Sequence, residues 1–278
     1  MKKTIIISII VLLLITGCNS ESVISEPTKP SEVNTFDETI EDNHVIIHEE
    51  KYKIKGTMKE TYQYKGNSEL LEQKTYESHA EEISMAFVET YEYENGLIAK
   101  ENFSDENGKL ISQTLYTYDD QDRVLEEKAI LQANDAEITK IYVYGEQTKT
   151  LFDYWSKGEL QRKLITYYDE KNRIKNIESF DSEGSLTQTT NMTHANEYIT
   201  KEVSKEGEKI MSKRYKEKNN MGDIIKFIGV SFLKEDESYT LFFLYDNVYD
   251  EDMRLVEKTQ YEVVNQIDAD VLDPIYFK

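Results

Sequence analysis

The segment Tyr116-Thr117-Tyr118-Asp119-Asp120-Gln121-Asp122-Arg123-Val124 decides the fold class, because it joins the end of a strand to a turn. In a β-strand alternate residues point to the same face, so Tyr116 and Tyr118 share one face of a sheet. The acidic and amide residues that follow favour a turn, and an aliphatic residue resumes the apolar pattern. The segment therefore predicts a β-hairpin with two aromatic rings close to its turn.

The same arrangement returns along the chain at a nearly constant spacing. Tyrosine pairs start at residues 62, 91, 116, 142 and 167, which are 29, 25, 26 and 25 residues apart. A second polar turn lies between successive pairs, so each unit has room for two strands and two turns. Such a period is typical of repeat architectures. The paired residues are Tyr62 and Tyr64, Tyr91 and Tyr93, Tyr116 and Tyr118, Tyr142 and Tyr144, and the adjacent Tyr167 and Tyr168.

These repeats predict an all-β protein, an antiparallel meander of about 12–14 strands that forms a single domain over residues 44–278. Open twisted sheets rarely exceed about 10 strands, so we expect a curled sheet, a partly closed tube or two layers. The strand register is not predicted between residues 192 and 240, where the repeat is blurred. The apolar run Tyr239–Tyr245 fits either a strand buried on both faces or an ordinary central strand.

Three segments carry a resemblance to a known repeat family: 118–124, 168–174 and 249–255. Each has a tyrosine-aspartate step, a short turn, an arginine and an aliphatic residue. In this respect the chain resembles the YD-repeat family, also called Rhs-type repeats, from about Tyr62 to Leu186. It departs from the family in having few Gly-Arg turns. The resemblance implies a β-meander that serves as a shell, scaffold or surface fibre, and this chain is too short for a shell that encloses a toxin.

The N-terminus predicts a signal for export. Two lysines precede the apolar run from Ile5 to Ile15, which is too short to span a membrane but fits a secretory signal. The run ends in Ile15-Thr16-Gly17-Cys18, which resembles the lipobox of bacterial lipoproteins. The resemblance implies that residues 1–17 are a signal peptide and that Cys18 carries two or three acyl chains. The alternative is a secretory signal with an incidental cysteine.

The rest of the N-terminal region and the overall charge restrict the possible partners. Residues 18–43 are polar and acidic, contain Pro27 and Pro30 and show no periodicity, so we expect a disordered tether. The chain has 33 basic and 54 acidic residues, a formal charge of −21, which argues against binding nucleic acid. The expected location is the extracytoplasmic face of the cell membrane, held by the lipid anchor on Cys18.

Candidate chemical sites are few. His44 and His48 have the i, i+4 spacing of a helical zinc site, but the intervening Val, Ile and Ile favour a strand, which would hold them far apart. The acidic turns 119–122 and 250–252 could hold calcium, although turn formation explains them more simply. We therefore predict no metal site and no cofactor.

The sequence also lacks a recognisable catalytic motif. His79 and His194 have no evident catalytic partner, so we predict no catalytic residues and no enzyme, with a hydrolase as the alternative. Trp155 is either a contact residue at a strand end or a packed core aromatic.

Two functions remain open. The first is a membrane-anchored module that binds an unknown surface protein, peptide or glycan, or acts as a scaffold, with the ten paired tyrosines as its aromatic binding ladder. The second is a carrier that holds a lipid-like or other apolar ligand inside a closed sheet. An apolar interior would favour the carrier, and a filled interior with exposed aromatic residues would favour the binding module.

Overall fold

The computed structural model describes residues 44–47, 50–80, 83–156, 158–234 and 237–264. The predicted signal peptide, Cys18, the tether and His48 lie outside the described residues.

The described residues form seventeen β-strands, joined by short loops. Their bounds are β1 His44–Ile47, β2 Glu50–Tyr64, β3 Leu71–Ala80, β4 Ile83–Glu94, β5 Leu97–Asp105, β6 Leu110–Tyr118, β7 Val124–Leu131, β8 Ala136–Tyr144, β9 Thr148–Trp155, β10 Glu159–Tyr168, β11 Ile174–Asp181, β12 Leu186–His194, β13 Ile199–Glu206, β14 Lys209–Lys218, β15 Ile224–Lys234, β16 Glu237–Tyr249 and β17 Leu255–Val263.

Strands β2 to β17 form a closed antiparallel barrel. Each strand pairs with the next along the chain, and β17 pairs with β2, with Tyr261 opposite Thr57. The short β1 extends the sheet by pairing with the start of β2. The predicted antiparallel meander is confirmed. Of the arrangements left open for it, the structure has the tube, and this tube is fully closed. The strands are more numerous than predicted, because residues 192–240, where the repeat is blurred, form regular hairpins as well.

Because neighbouring strands are antiparallel, every loop that joins an even-numbered strand to the next odd-numbered strand lies at the same end of the barrel. The tyrosine pairs end β2, β4, β6, β8 and β10, and the loops that follow them share this end with the loops after β12, β14 and β16. We call this end the arginine rim, after Arg123, Arg173 and Arg254 in its loops. The remaining loops form the opposite rim.

The loop from Asp119 to Arg123 explains the turn motif in physical terms. One carboxylate oxygen of Asp119 accepts the backbone N–H groups of Gln121 and Arg123, both at 2.9 Å, and the other accepts Arg123 Nε at 2.7 Å. Asp122 has φ of 60°, a left-handed conformation that asparagine, aspartate and glycine adopt most readily. The motif is therefore a turn held by its first aspartate and its last arginine.

The same hydrogen-bond pattern recurs in two other loops, from Asp169 to Arg173 and from Asp250 to Arg254. The aspartates of these loops bond to their own backbone and arginine, which is the turn function that the sequence favoured over calcium. Among the described residues, no group of three or more His, Cys, Asp or Glu could hold a metal ion.

The apolar core lies on one side of the sheet. Its buried members come from β14 to β17 and from the start of β2, and Ile228 at its centre is fully buried. In the predicted apolar run, Phe242 and Leu244 belong to this core, whereas Phe243 lies on the other face against Phe227. Tyr239 is half exposed. The core consists of Ile54, Tyr215, Ile228, Val230, Phe242, Leu244, Tyr261 and Val263.

Candidate functional site

The predicted tyrosines lie on one face of the barrel wall, with one exception. Strand register places Tyr62 opposite Lys74, Lys74 opposite Glu89, and Tyr91 opposite Glu101, so all these side chains share a face. We call it the tyrosine face, and the other side of the sheet the opposite face. The apolar core is on the opposite face. Its member Tyr261 pairs with Thr57, which is three residues from Glu60 on β2 and therefore points to the other side of the sheet.

The first tyrosine of each pair donates a hydrogen bond to a glutamate. Tyr62 donates to Glu60 on its own strand, and Tyr91 donates to Glu89 at 2.7 Å. Further round the barrel, the acceptors lie on the neighbouring strand. Tyr116 donates to Glu101 at 2.9 Å and Tyr142 to Glu127 at 2.6 Å.

These glutamates were not predicted from the sequence, although it contains a signal for two of them. Glu60 and Glu89 each precede a tyrosine by two residues and therefore share its face of the strand.

In the first four pairs, the second tyrosine ties one hairpin to the preceding one at the arginine rim. Tyr93 donates to the carbonyl of Leu71 at 2.7 Å, and Tyr144 donates to that of Val124 at 2.9 Å. Tyr64 and Tyr118 make the equivalent bonds to Leu255 and Ile98. The acceptor is in each case at the start of the preceding odd strand. We call this bond the rim clasp.

His194 occupies the rim-clasp position of β12. Its Nε2 lies 2.8 Å from the carbonyl oxygen of Ile174, the first residue of β11, and its Nδ1 lies 3.2 Å from the hydroxyl of Thr200. A histidine therefore replaces tyrosine in a structural role. His79, the other candidate, lies 2.8 Å from the hydroxyl of Ser84 on an exposed cross-strand pair. The absence of enzymatic activity stays a prediction.

The adjacent pair in β10 is the exception. Leu164 pairs with Leu151, which pairs with Tyr142, so Tyr168 is on the tyrosine face and Tyr167 is on the opposite face. Tyr167 donates to Glu178 at 2.8 Å there. Adjacent residues cannot share a face of a strand, so this pair contributes one ring, not two, to the tyrosine face.

Lysines on neighbouring strands balance several of the buried glutamates. Lys74 Nζ lies 3.1 Å from Glu60 and sits 4.4 Å from the centre of the Tyr76 ring, a favourable position for a cation. Burial opposes ionisation of Glu60, but the charges of Lys74 and Lys258, together with the hydrogen bonds from Tyr62 and Lys74, outweigh it and hold the pKa of Glu60 below its ordinary value. Lys140 pairs with Glu127 at 2.9 Å in the same manner.

Glu89 and Glu101 are arranged differently. Glu89 is 6% exposed and accepts the hydroxyls of Tyr76 at 2.5 Å and Tyr91 at 2.7 Å. Burial, and after it the contact with Glu89, raises the pKa of Glu101 well above its ordinary value. Burial and the charge of Glu89 also raise the pKa of Tyr76 and Tyr91, so both hydroxyls remain donors.

The contacts give the predicted aromatic ladder a structural role. In the first four pairs, all eight hydroxyls donate to glutamates or backbone carbonyls of the sheet itself. Whether the rings also bind a partner stays a prediction. Trp155, at the end of β9, is half exposed, which agrees better with a contact residue than with a packed core aromatic.

Large exposed apolar side chains also lie on three consecutive loops of the arginine rim. Tyr198, Met221 and Met253, each more than one-third exposed, follow β12, β14 and β16. Hairpin loops two strands apart are spaced by about 9–10 Å. We call these three residues the rim patch. The sequence reasoning did not single them out, because no repeated motif joins them.

The similarity of this chain to the two solved structures described here is low. No protein-family model matches the chain, and no curated protein matches it. A porin-like protein from Bacteroides uniformis aligns with a TM-score of 0.35 and 10% identity, over 76% of this chain and 98% of that one. A chain of the TcdB2-TccC3-Cdc42 complex aligns with a TM-score of 0.26 and 12% identity, over 75% of this chain and 14% of that one.

No helix long and apolar enough to cross a membrane occurs in the part of the chain that the structure describes.

Proposed function

We propose that this chain is a lipid-anchored extracytoplasmic protein whose closed β-barrel binds a partner protein through the arginine rim. The observation that carries the proposal is the rim patch. It places three exposed apolar side chains on adjacent loops of a closed sheet, in which the hydroxyls of the first four tyrosine pairs are already bonded to the sheet itself. Exposed apolar residues grouped on one surface are typical of interaction sites.

The charge distribution favours binding over transport of an apolar ligand. The tyrosine face carries ion pairs such as Lys140–Glu127, and the opposite face carries Lys59–Glu257 and Lys128–Glu137. An apolar ligand needs a mainly apolar lining, and a barrel in lipid needs an apolar outer band. Since both faces are charged in the middle of strands, we infer that the barrel stays in water and is held at the membrane by its anchor.

The anchor can be tested separately from the barrel. Cells expressing the full chain would be fed an alkyne-labelled fatty acid, and the protein would be fractionated and probed for the label. We expect the label and membrane association in the wild type and in Ser20→Ala, and neither in Cys18→Ser. Labelling of Cys18→Ser would contradict the lipobox interpretation.

Binding at the rim can be tested with a photoreactive amino acid placed in the full-length protein on intact cells. We expect a protein adduct from position 221 or 253 and none from position 186, since Leu186 is even more exposed but lies at the opposite rim. A lipid adduct would favour the carrier instead. Equal adducts from both rims, or none from either, would contradict the proposal.

A further inference from the structure

We propose that Glu89 and Glu101 hold one shared proton at neutral pH and make this part of the barrel wall sensitive to pH. The proposal rests on how the two carboxyl groups are bonded and buried. It concerns the barrel wall and does not depend on the partner or the lipid anchor.

The two carboxyl groups are close enough to share a proton. Glu89 and Glu101 lie on β4 and β5, diagonally across the pairs Glu89–Phe103 and Tyr91–Glu101, so their side chains are neighbours on the tyrosine face. Ionised carboxylates are acceptors only, so a hydrogen bond between two carboxyl groups needs one proton. Two carboxyl groups sharing a site retain a proton well above the usual pH range.

Three tyrosine hydroxyls donate hydrogen bonds to the two carboxyl groups. Tyr76 and Tyr91 donate to Glu89, and Tyr116 donates to Glu101. These neutral hydroxyls stabilise one negative charge on the pair without supplying a positive charge. Phe103, which is buried opposite Glu89, stacks on Phe87 with ring centres 5.2 Å apart and excludes water from the same region. The site therefore favours a pair with a total charge of −1 over one with −2.

The charged groups on the strands around the pair also favour the retention of one proton. On β3, Lys74 is opposite Glu89 in the register, but its ammonium group pairs with Glu60 of β2 at 3.1 Å. On β7, Glu127 adds negative charge, and its own partner is Lys140 of β8. Lys258 of β17, opposite Glu60 in the register, also lowers the pKa of Glu60. Two lysines therefore face the three carboxyl groups of Glu60, Glu89 and Glu101, which leaves one negative charge to be neutralised by a proton.

The pH dependence follows from the difference between the folded and unfolded chains. Above about pH 4.5 an unfolded glutamate is ionised, whereas the folded pair keeps its proton until the solution becomes alkaline. Unfolding at neutral pH therefore releases this proton, and the free energy of unfolding decreases as the pH rises through that window. The pair is fully stabilising only below the unfolded pKa.

The test measures proton release on unfolding of the full-length protein in urea at pH 7. We expect the wild type to release about one proton more than Glu101→Gln, whose amide can donate to Glu89 without a titratable proton. The urea midpoint should fall between pH 6 and pH 9 in the wild type and vary less in Glu101→Gln. Glu127→Gln is the matched control, since its ion-paired carboxylate should leave the proton count unchanged.

Equal proton release by the wild type and Glu101→Gln would overturn the proposal. Should Glu101→Gln fail to fold, infrared spectroscopy of the folded wild type decides the question. The carbonyl band of a protonated carboxylic acid, with its shift in heavy water, must be present at pH 7 and must disappear in alkali. Its absence at pH 7 would overturn the proposal equally.

Discussion

Strands β2–β8 and strands β14–β17 belong to one barrel but are stabilised by different side chains. In β2–β8 the buried groups include glutamates that bond to tyrosines and lysines on the tyrosine face. In β14–β17 they are mainly aliphatic and aromatic residues packed on the opposite face. The same meander can therefore be held by a polar network or by apolar burial, and the two regions should respond differently to mutation and pH.

Truncation in the apolar region should have the largest effect. Phe242→Ala would open a cavity in the core around Ile228, and we expect it to lower the free energy of unfolding by about 3–5 kcal/mol. Tyr239→Ala, on the same strand but half exposed, is the control and should change it by less than about 0.5 kcal/mol. Urea denaturation of both variants checks the prediction. Equal losses would contradict the assignment of the core.

Breaking an ion pair in the polar region should have the next largest effect. Lys140→Met leaves the half-buried carboxylate of Glu127 without its cation, which should cost about 1–3 kcal/mol in the free energy of unfolding. Adding Glu127→Gln should restore part of the loss, since the uncompensated charge is then removed.

Lys128→Met provides a comparison on the same hairpin. Its ion pair with Glu137 is more exposed, so the loss should be below about 1 kcal/mol. If Lys128→Met destabilises the protein as much as Lys140→Met in urea denaturation, the two faces do not differ as described.

Removal of one rim clasp should have a smaller effect. Tyr144→Phe deletes the hydroxyl that bonds to the carbonyl of Val124, a neutral hydrogen bond worth about 0.5–1.5 kcal/mol. Hydrogen exchange should show faster opening at the start of β7, while Tyr239→Phe leaves this exchange unchanged. An unchanged rate in Tyr144→Phe would mean that the clasp does not hold the rim.

The smallest effect concerns an exposed loop of the arginine rim. Hydrogen bonds from Arg173 lower the pKa of Asp169 to about 2, so the stabilising contribution is present above pH 3.8 and is lost as the pH falls towards 2. In NMR titrations, Arg173→Gln should raise this pKa towards its ordinary value. Lys171→Gln should not, because Lys171 reaches Asp169 only through its backbone N–H.

Local structure could be predicted from the sequence where the same residue type recurs at the same position of a strand or loop. Tyrosines two residues apart indicated strands, and the polar segments after them indicated the loops of one rim. The loop Asn219–Asp223 escaped notice because asparagine replaces the first aspartate and no arginine ends it, although Asn219 accepts the same backbone N–H groups. The rim clasp of β12 was not predicted for a similar reason, since His194 stands where the other clasps have tyrosine.

Features that depend on distant strands could not be predicted in this way. The pairing of β17 with β2 depends on the number and register of all the strands between them. The pairing of Glu101 with Glu89 likewise depends on a diagonal relation between two strands, which a pattern along one strand does not reveal. Tyr167 was assigned to the ladder because its proximity to Tyr168 resembled the other pairs, although strand geometry separates their faces.

Closure of the barrel is tested most directly by a cross-strand disulfide between its first and last strands. With Cys18 replaced by serine throughout, Thr61→Cys and Glu257→Cys occupy paired positions on β2 and β17. Thr75→Cys and Val88→Cys are the matched control on neighbouring strands of one hairpin. We predict that both pairs oxidise readily in the folded protein. Oxidation of the control pair without the 61–257 pair would contradict a closed barrel and indicate an open sheet.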